Sequence, residues 1–213
     1  SVVDLQGKVR ALLRINKAGE ARQVLQEIIN GHPMDKDVMK LAEEVWGRQQ
    51  MNTLFLDVLK NYAKDHPDDR DSQLRLYRMQ LQSQDASDPA KAREGLWSVA
   101  TEKTKYGLEA LRTRGEMQSL DVAEGERLAG LLEGHDEATG WDYTKALSLR
   151  ISLSPGDKEQ LMDATTRRFS GKKGADLHPM VRWLVENHEF GRVVGMLDLP
   201  SIKTRKEDQP LLL

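Results

Sequence analysis

The chain has 213 residues, of which 38% are hydrophobic, 5% aromatic and 31% charged, and its 32 basic and 34 acidic residues give a net charge of -2. This near-neutral charge predicts no general attraction to nucleic acid or to acidic membrane surfaces. The chain contains no cysteine, which excludes disulfides and thiolate metal sites, and no apolar run approaches the ~20 residues that span a bilayer.

Helical periodicity starts at the N-terminus. Apolar residues recur at three- and four-residue spacing, which predicts amphipathic helices. Glycine or proline ends several of these segments, as at Gly31 and Pro33, and Asp71 and Asp88 are predicted to cap the helices that follow them. The predicted helices of this half cover about 4–16, 20–31, 35–48, 52–64 and 71–84, with a sixth after Pro89.

The pattern continues with a weaker register after about residue 103. Short apolar groups mark two helices around Leu108 and Leu128, and Ser154-Pro155 is predicted to begin a further one. The remaining predicted segments are a helix over 141–153, a flexible loop at 170–174, a helical pair over 177–198 and a loose tail over 199–213. No strand alternation occurs, and short connections between ten to twelve helices predict antiparallel hairpins.

Two His-Pro pairs, His32-Pro33 and His66-Pro67, lie 34 residues apart, which is the length of a tetratricopeptide hairpin. The spacing of small and apolar residues before each proline resembles the second helix of that family. The matching residues are Ala21, Leu25, Ile28 and Pro33 in one segment and Phe55, Leu59, Tyr62 and Pro67 in the next. Phe55 departs from the family's small residue, and the first-helix signature has no full match.

The resemblance implies an all-α fold of stacked antiparallel helical hairpins that form a tetratricopeptide-like α-solenoid. A third segment over 70–103 keeps Ala92, Leu96 and Val99 but lacks the closing proline. We expect one solenoid of five to six hairpins over 1–198, with 2–103 closest to the family and 104–198 divergent. An irregular helical bundle is the alternative.

Stacked hairpins expose a concave surface built from the first helix of each pair. The resemblance assigns eleven groove-facing positions: Gln6, Arg10, Leu13, Arg14, Lys40, Glu44, Arg48, Leu74, Arg75, Arg78 and Leu81. Six of these are basic, namely Arg10, Arg14, Lys40, Arg48, Arg75 and Arg78, so we expect a groove that binds an acidic peptide or helix of a partner protein. The lysine-asparagine clamp of chaperone-binding members is absent.

No pattern of catalytic residues supports an enzyme. The five histidines form no i, i+3 or i, i+4 pair, and the acidic clusters at 65–71 and 133–137 suit helix caps and solvated turns better than a metal site. Ser170-Gly171-Lys172-Lys173-Gly174 lacks the spacing of a phosphate loop. The sequence therefore predicts no catalytic, cofactor or metal site, and it predicts that the four tryptophans pack in the core.

A structural or oligomerisation module is the second hypothesis, because apolar residues occur at both chain ends, at Val2, Val3 and Leu5 and at 211–213. Homo-oligomers are compatible with it. An all-helical enzyme or a nucleic-acid-binding helical repeat is less favoured. The sequence leaves the compartment open and slightly favours a soluble cytoplasmic protein.

Overall fold

The computed structural model describes residues 2–32, 35–48, 52–85, 87–117 and 120–197, with the backbone alone at 47–48 and 52–54. These residues form twelve α-helices and two 3-10 turns and include no strand, which confirms the all-α class. The helices are α1 Val2–Arg14, α2 Ala18–Gly31, α3 Lys36–Arg48, α4 Asn52–Asp65, α5 Arg70–Leu81, α6 Asp88–Ala100, α7 Lys105–Gly115, α8 Val122–Gly134, α9 Gly140–Leu153, α10 Lys158–Arg168, α11 His178–Glu186 and α12 Phe190–Met196.

The helices belong to two compact units, Ser1–Leu96 and Trp97–Leu213, called unit 1 and unit 2 below. The division falls inside α6. The single solenoid over 1–198 remains a prediction, and the predicted loose tail over 199–213 lies outside the described residues. None of the described helices is both long and apolar enough to span a membrane.

In unit 1, α1 to α4 each pack against the next helix in the chain. Apolar residues from the first four helices form one core, whose largest fully buried side chains include Leu25, Ile28, Leu41, Trp46 and Leu59. The amphipathic pattern predicts this core because each helix has one apolar face.

The structure corrects both predicted caps in unit 1. Asp88 is the first residue of α6, and its carboxylate accepts hydrogen bonds from Lys60 and Ser83. Asp69, and not Asp71, caps α5, because its carboxylate accepts the backbone N–H of Ser72. The helix begins at Arg70, so Asp71 lies within its first turn, two residues past the capping position.

In unit 2, α9 packs against α8, α10 and α11. Leu147, Met162, Phe169, Met180 and Leu184 are among the buried residues of its core. Ser154-Pro155 does not begin an α-helix directly: a 3-10 turn over Pro155–Asp157 comes first, and α10 begins at Lys158.

The prediction that all four tryptophans pack in the core is wrong for Trp141. Its side chain is 47% exposed, whereas Trp46 and Trp183 are buried and Trp97 is partly buried. Trp141 lies in the first turn of α9, with its ring edge-on to His178 at 5.7 Å. Helical spacing shows that an apolar residue has apolar neighbours, but not that its ring faces the core.

Candidate functional site

Three ion pairs in unit 1 join side chains from alternate helices. Arg10 of α1 pairs with Glu44 of α3 at 3.7 Å, and Arg75 of α5 pairs with Glu43 of α3 at 2.6 Å. Lys36 of α3 pairs with Asp69, the cap of α5, at 2.9 Å. The paired residues are 34, 32 and 33 positions apart, which is close to the 34-residue spacing of the sequence repeat.

Asp69 is the most strongly held carboxylate of these pairs. It accepts hydrogen bonds from the backbone N–H and the hydroxyl of Ser72, and the hydroxyl of Tyr62 lies 3.4 Å from Oδ2. Burial alone would raise the pKa of Asp69, but the hydrogen bonds from Lys36 and Ser72 lower it below its ordinary value. Asp69 therefore stays ionised and acts as a structural residue.

Arg10, Leu13, Arg14 and Glu44 line one surface depression of about 290 Å³, called the α1–α3 groove below. All four positions belong to the predicted groove-facing set. Both arginines are exposed, and among the described residues Arg14 has no ion-pair or hydrogen-bond partner. The groove therefore combines an apolar side chain, an ion pair and one uncompensated guanidinium.

The other predicted groove residues have varied positions. Lys40 and Arg78 are exposed, Lys40 lies 3.4 Å from Asp37, and Gln6 and Leu81 are partly buried. The side chain of Arg48 lies outside the described residues. Leu74 does not face the groove: it is only 2% exposed, because its side of α5 packs into the interior.

Unit 2 contains a charged group that the sequence does not predict, the fully buried Arg114 at the end of α7. Its Nη2 donates to Glu124 Oε1 at 2.7 Å, and its guanidinium carbon lies 5.5 Å from the centre of the Trp97 ring. Trp97 Nε1 donates to the same carboxylate oxygen at 3.2 Å. Arg114, Glu124 and Trp97 thus form a polar cluster around a buried guanidinium, and this cluster joins α6, α7 and α8.

A buried carboxylate in unit 2, that of Asp142, joins α7 to α9. Arg112 Nε and Nη2 donate to the two oxygens of Asp142 at 2.7 and 2.8 Å. The backbone N–H and the hydroxyl of Thr139 also donate to Asp142. Burial alone would raise the pKa of Asp142, but the hydrogen bonds from Arg112 and Thr139 lower it below its ordinary value.

A cleft of about 180 Å³ lies among α8, α9 and α10 and is called the α9–α10 cleft below. Its polar lining residues are Glu133, Tyr143, Arg150, Thr165 and Arg168. Arg150 Nη1 donates to both oxygens of Glu133 at 3.0 Å, and its Nε donates to Glu126 at 3.3 Å. The guanidinium of Arg168 lies over the ring of Tyr143 at 4.6 Å.

The sequence predicts no function for the residues of this cleft. Arg150 and Arg168 are 18 positions apart, and no local motif relates them to each other or to Tyr143. Within the part of the chain that the structure describes, no three histidine, aspartate or glutamate side chains lie close enough together to hold a metal ion.

Comparison of the chain with protein-family models, with curated proteins and with solved structures finds no match.

Proposed function

We propose that unit 1 is a non-enzymatic, tetratricopeptide-like stack of helical hairpins that binds an acidic segment of a partner protein in the α1–α3 groove. The observation that carries the proposal is the convergence of Arg10, Leu13, Arg14 and Glu44 on one depression. The near-repeat spacing of the ion pairs between α1, α3 and α5 supports the stacked arrangement.

Arg14 is the residue best suited to bind an incoming carboxylate. Its guanidinium can donate two parallel hydrogen bonds, and such charge-assisted pairs contribute more binding free energy than neutral ones. Arg10 and Glu44 are 3.7 Å apart, with half and about a third of their side chains exposed. Exposed pairs of this kind stabilise a fold little, so Arg10 can exchange Glu44 for a ligand carboxylate at small cost.

Leu13 gives the groove an apolar contact between the two arginines. A peptide that fits it has alternating acidic and apolar side chains, because the acidic groups reach the guanidinium groups and an apolar group covers Leu13. Arg78 and Lys40 extend the basic character to neighbouring helices, and both are exposed. The proposed ligand is therefore an acidic segment with interspersed leucines.

The test measures the binding of a fluorescently labelled peptide of alternating glutamate and leucine residues by anisotropy. We expect Arg14→Glu to weaken binding at least about tenfold, since it replaces an attraction with a repulsion. Higher ionic strength should weaken wild-type binding as well, because the attraction is exposed to solvent.

The matched control is Lys8→Glu, the same charge reversal on the same helix. Lys8 is exposed and does not line the groove, so we expect less than a twofold change. Equal losses in the two variants would show that net charge, not the groove, governs binding. No binding by the wild type at any salt concentration would contradict the proposal.

An oligomerisation or structural module is the second candidate function. Val185, Phe190 and Val194 on the last two described helices are 44%, 55% and 66% exposed. Large exposed apolar side chains close together often mark contact surfaces. A mass that rises with concentration in sedimentation would favour this candidate over a monomeric peptide-binding protein.

A further inference from the structure

We propose that the α9–α10 cleft of unit 2 binds one small monocarboxylate with an apolar body. This site is independent of the α1–α3 groove, which belongs to the other unit. The cleft has donors without a partner among the described residues, an apolar floor and lining charges that leave one guanidinium unneutralised.

Three donors at the cleft have no hydrogen-bond partner among the described residues. Within the described part of the chain, no hydrogen bond joins a neighbour to the guanidinium of Arg168 or to the hydroxyls of Tyr143 and Thr165. All three side chains line the same cleft. Polar groups that face a shared space in this way can all be satisfied by one ligand with several acceptor atoms.

Arg168 is also held in place before any ligand arrives. Its guanidinium lies over the Tyr143 ring at 4.6 Å, and that ring is edge-on to the buried Phe169 at 6.3 Å. A guanidinium that stacks through its face keeps its N–H edge free to donate. The arrangement lowers the entropic cost of binding because the side chain is already ordered.

The floor and the size of the cleft define the body of the ligand. Leu147 is buried and Leu161 is partly buried, and both line the cleft. Its volume of about 180 Å³ is slightly larger than a cavity of about 150 Å³ that holds one benzene ring. A benzoate or a short aliphatic acid therefore fits, with its hydrocarbon against the leucines.

The charges at the cleft select a single negative charge. The lining side chains include two guanidinium groups and one carboxylate, Glu133, which Arg150 already neutralises through two hydrogen bonds. Among the lining side chains one positive charge, that of Arg168, remains, and Glu126, which also pairs with Arg150, does not line the cleft. A phosphate dianion would exceed it and would lie near the Glu133 carboxylate, whereas a monocarboxylate matches it.

The test is calorimetric titration of the full chain with benzoate, benzamide and phenyl phosphate. We expect benzoate to bind at least about tenfold more tightly than its neutral isostere benzamide, because benzamide forms no charge-assisted hydrogen bonds with Arg168. Benzoate should also bind more tightly than phenyl phosphate. Tighter binding of either competitor would overturn the charge argument.

Variants of α10 locate the site. Arg168→Gln should weaken benzoate binding at least about tenfold, and Arg168→Lys should give an intermediate loss because it keeps the charge without the planar fork. Arg167→Gln is the matched control on the same helix, since Arg167 does not line the cleft, and it should change the affinity less than twofold. Equal effects of the two glutamine variants would overturn the assignment.

Ala164→Leu should fill the cleft, because Ala164 lines it. The fold should tolerate the larger side chain, because Ala164 is exposed. The variant should abolish benzoate binding without changing the melting temperature.

The carboxylate that binds the cleft belongs either to a free acid or to the end of a peptide chain. A comparison of a tripeptide ending in leucine with hexanoate distinguishes these sources. The proposal would be overturned if benzoate, hexanoate and the tripeptide all failed to bind.

Discussion

The ion pairs Arg10–Glu44 and Arg75–Glu43 of unit 1 lie at its surface, whereas two ion pairs of unit 2 each have one buried partner. Arg10–Glu44 and Arg75–Glu43 each leave more than a third of both side chains exposed. In unit 2, Arg114 is fully buried and the Asp142 side chain is 4% exposed. Unit 1 also contains a buried carboxylate, because Asp88 is 1% exposed and pairs with Lys60 at 2.9 Å. Exposed pairs and pairs with a buried partner therefore have different consequences when one partner is removed.

The exposure of a charged side chain decides whether it can bind a ligand or mainly stabilises the fold. An exposed pair contributes on the order of 0–1 kcal/mol and can exchange partners. A buried charge that loses its partner costs several kcal/mol, because it can regain neither water nor another hydrogen bond. This contrast is why the ligand-binding proposals use Arg14 and Arg168, which are both exposed, and not Arg114.

Glu124→Gln should have the largest effect on unfolding. The variant leaves the fully buried Arg114 guanidinium without its carboxylate partner, and we expect unit 2 to lose about 3 kcal/mol of unfolding free energy. Urea unfolding followed by tryptophan fluorescence measures it. Glu126→Gln is the control, because Glu126 is on the same helix and also pairs with an arginine, Arg150, but is exposed. Similar losses in the two variants would show that burial of the arginine is not the cause.

Asp142→Asn should destabilise unit 2 by about 2 kcal/mol at neutral pH, since it weakens the Arg112 fork and the hydrogen bonds from Thr139. The folded-state pKa of Asp142 is lowered, so its contribution is complete above the unfolded pKa of about 3.9 and is lost as the pH falls through the folded value. Unfolding free energies at pH 7 and pH 3 measure this, and the gap between variant and wild type should narrow at pH 3. A constant gap would contradict the pKa assignment.

The Arg75–Glu43 pair should have the smallest effect. A double-mutant cycle with Arg75→Gln and Glu43→Gln should give a coupling free energy of about 0.5 kcal/mol, because water solvates both side chains when the pair is broken. Unfolding in urea at low and at high salt measures the coupling and its screening. A coupling free energy as large as that expected for the unit 2 pairs with a buried partner would show that exposure does not decide how much an ion pair contributes.

Much of the fold follows from local patterns in the sequence. The end of α2 at Gly31 and the beginning of α4 at Asn52 agree with the prediction, and α9 begins one residue earlier than predicted. Leu25, Ile28 and Leu59 of the predicted repeat motif are all buried. These agreements arise because amphipathic spacing and helix-ending residues act over a few neighbouring positions.

Sequence patterns predict less about contacts between residues that are far apart in the chain. Arg114 looks like an ordinary solvated arginine at a helix end, and nothing local shows that Glu124 and Trp97 enclose it. The α9–α10 cleft depends on side chains from three helices, so no single segment has its signature. Arg10 and Arg14 of the α1–α3 groove were predicted, since a repeat period relates positions far apart in the chain.

The position of α6 has a practical consequence for work on isolated fragments. This helix runs without interruption from Asp88 to Ala100, and the boundary between the units lies within it, after Leu96. A fragment that starts at Trp97 would keep only four residues of the helix, too few to repay the cost of helix nucleation. Fragments that represent each unit should therefore overlap, with the whole of 88–100 present in both.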